Sequence, residues 1–210
     1  MSIKNKIIWS LLLSLLIFLL TGCGNSSISK SVTTVQEVTN RSAVASGWMA
    51  YEAGGYSSAK VAFASALENE ASLDDKTKAD LYNGLGWATV KTNGFQEAGE
   101  YFDKATKLSD DAKVGMAGYY LSTMNSKNFS KGISLLEGLN LQNVNYVYEF
   151  KNNTGVTNAQ VHALLGVLYY LNGDLGKAEP QFRVAGNIIN EPSTQTQYQI
   201  VNAITTAFSK

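Results

Sequence analysis

The chain has one cysteine, one histidine and two prolines in 210 residues, and only 16% of its residues are charged. A single Cys excludes a disulfide framework and any thiolate-ligated metal site. A single His excludes the usual His-rich zinc site and argues against a His-based triad. Seventeen basic side chains balance seventeen acidic ones, so no excess charge calls for nucleic acid. Residues 1–22 hold Lys4 and Lys6 and no acid; without them fifteen basic side chains face seventeen acidic ones. The length suits one ordinary domain or one short repeat array.

What the chain does have begins at its N-terminus. Lys4 and Lys6 precede an apolar run from Ile7 to Leu20, broken only by Ser10 and Ser14. Fourteen helical residues reach about 21 Å, short of a bilayer core of about 30 Å, so a signal peptide over 1–22 fits better than a spanning helix. Leu20-Thr21-Gly22-Cys23 follows at once. This resembles the lipobox of bacterial lipoproteins, in which small residues flank the scissile bond and the thiol takes a diacylglyceryl group. The resemblance implies a covalent lipid on Cys23, a membrane anchor and no other cofactor. The alternative is an ordinary secretory signal with a chance Cys. Each buried CH₂ contributes about 0.8 kcal/mol, so two or three acyl chains hold where one does not. Gly24, not Asp, follows the Cys; in a Gram-negative host the family's sorting rules then imply the outer membrane. Residues 23–40 are polar with scattered Val and Ile, which reads as a flexible tether, or else as a poorly formed helix from near Val35.

The remainder repeats itself. Gly47-Trp48-Met49-Ala50-Tyr51 aligns with Gly86-Trp87-Ala88-Thr89-Val90 and with Gly166-Val167-Leu168-Tyr169-Tyr170. Each is followed by a turn and a second pattern: Ala59, Phe63, Ala66; Ala98, Phe102, Ala105; Ala178, Phe182, Ala185. Ala, an aromatic four on and Ala three further share one helical face. The pattern resembles the tetratricopeptide repeat, a helix–turn–helix unit, and implies an all-α solenoid over 41–190. In that family the first-helix glycine and second-helix alanines allow close approach, and the aromatic fills the gap. A degenerate unit from Tyr119 to Leu139 has Tyr120 at the glycine slot and Gly132 at an alanine slot. Between it and the last copy, residues 140–158 contain Tyr146, Val147, Tyr148 and Phe150, a β-prone run expected to lie extended across the array. Beyond Pro192, residues 192–208 read as a helix capping the last repeat.

No catalytic constellation emerges, and an enzyme is not expected. His162 falls at a helix-packing slot, Asp110-Asp111 reads as a helix start, and Gly84-Leu85-Gly86 lies inside a helix without the Lys of a phosphate loop. No metal site is expected. One feature stands out: Trp48 and Trp87 share a slot one residue past the packing glycine, with Tyr51 and Val90 three residues on. Leu121 and Met124, then Val167 and Tyr170, take those slots in the later units. The tetratricopeptide resemblance places all eight along a groove able to take a peptide or helix. The alternative is a groove filled by the tether, by residues 140–158 or by the C-terminal helix. The expectation is therefore a membrane-anchored adaptor for a protein or peptide partner of the bacterial envelope. The second reading is a binder of a small apolar ligand or lipid in a closed helical cavity.

Overall fold

The computed structural model describes the backbone of residues 25–188 and the side chains of 38, 39 and 41–186. The signal peptide expected over 1–22, Cys23 and the helix expected over 192–208 lie outside the described residues. The chain divides into two units, Met1–Val38 and Thr39–Lys210. Eight helices are described: α1 (Asn25–Glu52), α2 (Tyr56–Leu67), α3 (Asp75–Asn93), α4 (Phe95–Ala105), α5 (Asp110–Ser122), α6 (Ser126–Glu137), α7 (Asn158–Leu171) and α8 (Leu175–Ile188). Among the described residues there is no strand, and the fold is all-α. None of these helices is long and apolar enough to cross a membrane.

The first departure from expectation is α1, which is already helical at Asn25 where a flexible tether was expected. The sequence permits this: neither Gly nor Pro interrupts residues 25–46, and Ile28, Val32, Val35 and Val38 recur at steps of four, three and three.

In the second unit the helices form successive antiparallel pairs. Helix α3 packs on α2 and α4, α5 on α4 and α6, and α7 on α6 and α8; α3 also touches α5, and α5 touches α7. The pairs nest through rings seated against glycines. A Cβ on Gly47 or Gly84 would come within 2.5 Å of the Phe63 ring, and one on Gly86 or Gly115 within 2.4 Å of the Phe102 ring. Phe182 likewise meets Gly166. Phe63 and Phe102 are fully buried, as are Ala59, Ala66, Ala98 and Ala105 on the same helix faces.

Helix ends are set locally. Asp74, Ser109 and Asn125 side chains accept from the first-turn amides of α3, α5 and α6. Thr157 and Gln160 form a reciprocal capping box on α7. Gly94, with φ 96°, turns the chain between α3 and α4.

Pro180 lies within α8, past the first turn. It cannot donate to the carbonyl one turn back, and its ring crowds that carbonyl. Pro180→Ala is therefore expected to raise stability by about 1 kcal/mol or more. The gain stays below the full helix-interior penalty because Pro also restricts the unfolded chain. A denaturant midpoint unchanged or lowered by the substitution would contradict this.

Candidate functional site

Between α6 and α7 the chain runs without helix or strand, and residues 144–157 form a strap over one side of the helix pairs. Its burial alternates strictly: every even-numbered residue from Val144 to Val156 is wholly or partly buried, and every odd-numbered one is exposed. That period of two is the signature of an extended backbone with one face inward.

Four helices hold the strap. From α5, the buried Asp111 carboxylate accepts from the Tyr148 hydroxyl at 2.9 Å, the Lys151 amide at 3.1 Å and the Asn152 amide at 3.4 Å. From α3, Asp80 meets Lys151 Nζ at 3.0 Å and accepts from Asn152 Nδ2 at 3.1 Å. From α1, the Tyr51 hydroxyl donates to the Thr154 carbonyl at 2.9 Å. From α7, His162 Nε2 lies 2.9 Å from the Tyr146 carbonyl, while Nδ1 lies 2.6 Å from Gln181 Oε1 on α8. Gln181 Nε2 donates onward to the Leu141 carbonyl, where the connection leaves α6. The Phe150 ring meets both Trp87 and Tyr148 edge-on, centroids 5.9 Å and 4.9 Å apart.

This locates the eight positions singled out in the sequence. Trp48, Tyr51, Trp87, Val90 and Val167 are buried, Trp87 to 1% exposure. Leu121 is half-buried, whereas Tyr170 is 44% exposed and Met124 67%. Strap contacts fall directly on Tyr51 and Trp87. Met124 is not on a helix: α5 ends at Ser122, and Met124 sits in the following turn with φ 49°. The register of this unit explains the difference. Phe102 seats on Gly115 as Phe63 seats on Gly84, an offset of thirty-one residues that makes Ala117, not Tyr120, the counterpart of Gly86. The same offset pairs Asp80 with Asp111. Both carboxylates that grip the strap therefore stand at one slot in successive helix pairs.

Asp111 was legible only as part of a helix start. It does lie in the first turn of α5, but Ser109 is the cap, and the Asp111 side chain serves the strap. Burial pushes its carboxyl up from the ordinary carboxylate range, against the lowering pull of the Tyr148 hydroxyl and the Asn152 and Lys151 amides. His162 is fully enclosed between strap and α8. Among the described residues, no three His, Cys, Asp or Glu side chains stand together as metal ligands. A cavity of about 310 Å³ opens beside the strap, with Lys76, Asp80, Asp110, Asp111, Glu149 and Lys151 in its walls. No protein-family model matches this chain, and no curated protein is similar to it.

Several tyrosines share the resistance to ionisation that the strap imposes on Tyr148. Burial comes first in every case, followed by Asp111 for Tyr148, Tyr56 for Tyr51 and Glu137 for Tyr169; all three phenols are raised. Tyr82, bonded to Glu70, is pushed up to about 12. A phenol raised in the folded state contributes stability that is complete below its ordinary pKa near 10 and is lost as pH climbs through the raised value. An ultraviolet titration is therefore expected to show a tyrosine fraction ionising only at about pH 12 or above, together with unfolding. Complete ionisation by about pH 11, with the helices intact, would contradict the burial of these rings.

Proposed function

We propose that the protein is a membrane-tethered adaptor. In this reading it is an α-solenoid of tetratricopeptide-like hairpins, exported and anchored through a lipid on Cys23, holding a protein or peptide partner of the cell envelope. The observation that carries the reading is the seat for an extended chain. Asp111 takes two consecutive backbone amides, and the Tyr51 hydroxyl reaches a backbone carbonyl. Recognition of main-chain groups, with pockets for alternate side chains, is how sheet edges hold extended peptides, and here side chains on helices supply those main-chain partners. The contacts of α3 with α5 and of α5 with α7 support the stacked-hairpin reading, because first helices then line one side.

The reading of a small apolar ligand has less behind it. The cavity beside the strap mixes charged side chains with Ala79, Leu108, Tyr146 and Tyr148, so it lacks the continuous apolar wall that an acyl chain needs. The aromatic positions close on the strap itself.

The test is a photo-crosslinking residue placed at Tyr170 or Leu121 in the full chain, in its own membranes. The expected result is discrete protein adducts, lost when Cys23→Ser sends the chain to the soluble fraction. Adducts with lipid alone would contradict the adaptor, and full membrane retention of Cys23→Ser would contradict the anchor.

A further inference from the structure

We infer that the strap is a removable occupant, and that its seat takes instead an extended partner peptide carrying two aromatic side chains two residues apart followed directly by a basic one. This rests on the adaptor reading and specifies the partner. Three observations lead to it.

The first is the division of labour along the strap. Tyr148 reaches Asp111, Phe150 reaches Trp87, and Lys151 reaches Asp80. The seat therefore offers one aromatic site beside a buried carboxylate, a second against an indole, and an acidic side chain for a cation. Asp80 and Asp111 make that end of the seat complementary to a basic residue and to backbone N–H groups.

The second is that the strap fills the seat incompletely. Asn83 Oδ1 and Trp87 Nε1 are buried and have no hydrogen-bond partner among the described residues; Trp48 Nε1 is likewise unpaired, but its ring meets Tyr51 and Phe63 rather than the strap. Asp80, Asn83 and Trp87 are spaced i, i+3, i+7, so Asn83 and Trp87 lie on the side of α3 that meets the strap. Thr89 Oγ1 is also unpaired, but two residues from Trp87 it points about 200° away, off the strap side. An orphaned buried polar group is unfavourable because it has given up water without gaining a partner. The Trp87 N–H needs an acceptor and the Asn83 oxygen a donor, which a peptide backbone or an amide side chain carries together and an acyl chain does not.

The third is the way the strap is attached. It pairs with no strand among the described residues, and Val147 and Glu149 are exposed. Its hold comes from side-chain contacts with four helices, from the burial of Tyr148 and Thr154, and from being joined at both ends to helices, which gives it an effective concentration of order millimolar. A partner peptide must overcome that advantage, so the intact chain refuses weak ligands and releasing the strap opens the seat.

The experiment uses a fluorescent synthetic peptide of residues 144–156 with the full chain in detergent, read by anisotropy. Tyr148→Ala/Phe150→Ala releases the strap without altering the helices' side of the seat. The released variant is expected to bind the peptide at least tenfold more tightly than the unaltered chain does. A peptide with both aromatics replaced by Ala is expected not to bind. A folded released variant that binds the peptide no better than a scrambled one overturns the inference. So does a variant that takes up an apolar dye but no peptide, or one that does not fold, since the strap would then be integral to the fold. Protein adducts surviving at Tyr170 in the face of that result would leave the adaptor reading intact on other surface. Loss of both would end both.

Discussion

Phe102→Ala is expected to be among the most damaging single changes in the molecule, costing about 3–5 kcal/mol and lowering the thermal midpoint by about 6–20 °C. The ring is fully buried, lies between Gly86 on α3 and Gly115 on α5, and meets Trp87 at 5.2 Å. Removing it leaves a cavity lined by helix backbone, which relaxes poorly because glycines have no side chain to move in. The reciprocal change makes the same point. Alanine ordinarily favours a helix over glycine by about 1 kcal/mol. At Gly86 the sign reverses, since the new Cβ would stand 2.4 Å from the ring. Gly86→Ala is expected to destabilise by about 1–3 kcal/mol and Gly86→Leu by more. Combined with Phe102→Leu, Gly86→Ala should cost less than the two single effects added, because the smaller side chain vacates the overlap. Strict additivity in chemical denaturation would show that ring and glycine do not share this space.

Asp111→Ala is expected to cost about 3 kcal/mol and to free the strap while leaving the helix pairs folded. It deprives the Tyr148 hydroxyl and the Lys151 and Asn152 amides of one shared acceptor, and hydrogen bonds to a charged group each contribute about 1.5–3 kcal/mol. The loss is partly offset once these groups reach water. Tryptophan emission should shift to the red as Phe150 leaves Trp87. Asp111→Asn should cost less, because an amide oxygen still accepts and burial already disfavours the charge. Since burial raises this carboxyl in the folded state, its contribution is complete below the ordinary carboxylate pKa and is lost as pH rises through the raised one. Acidification through that window should therefore improve the unaltered chain relative to Asp111→Asn. Parallel stability curves for the two across mildly acidic pH would contradict the assigned direction.

The helical hairpins were legible because their signal is local. Ala59, Phe63 and Ala66, like Ala98, Phe102 and Ala105, fall on one face by spacing alone, and the structure buries all six. The third unit was misregistered by three residues because its close contacts come from Gly115 and Gly118, against Phe102 and Phe95, and Tyr120 marks no such contact. Helix α1 was missed at its start because Ser- and Thr-rich composition outweighed a valid three-four spacing. The extended segment was foreseen from Tyr146 to Phe150, but its anchors were not. Asp111 and Tyr148 lie thirty-seven residues apart in sequence, Tyr51 and Thr154 one hundred and three, and nothing in either neighbourhood names the other. Tertiary pairing alone turns an ordinary first-turn aspartate into the holdfast of a distant loop.

Amide hydrogen exchange on the unaltered full chain tests this most directly. With the strap seated, the Lys151 and Asn152 amides should exchange far more slowly than those of an unstructured peptide, though faster than those in the middle of α5 because the strap opens without the helices, and lose that protection in Asp111→Ala. Exchange of both at the rate of an unstructured peptide, in a chain whose helices remain protected, would show that the seat stands uncovered in solution.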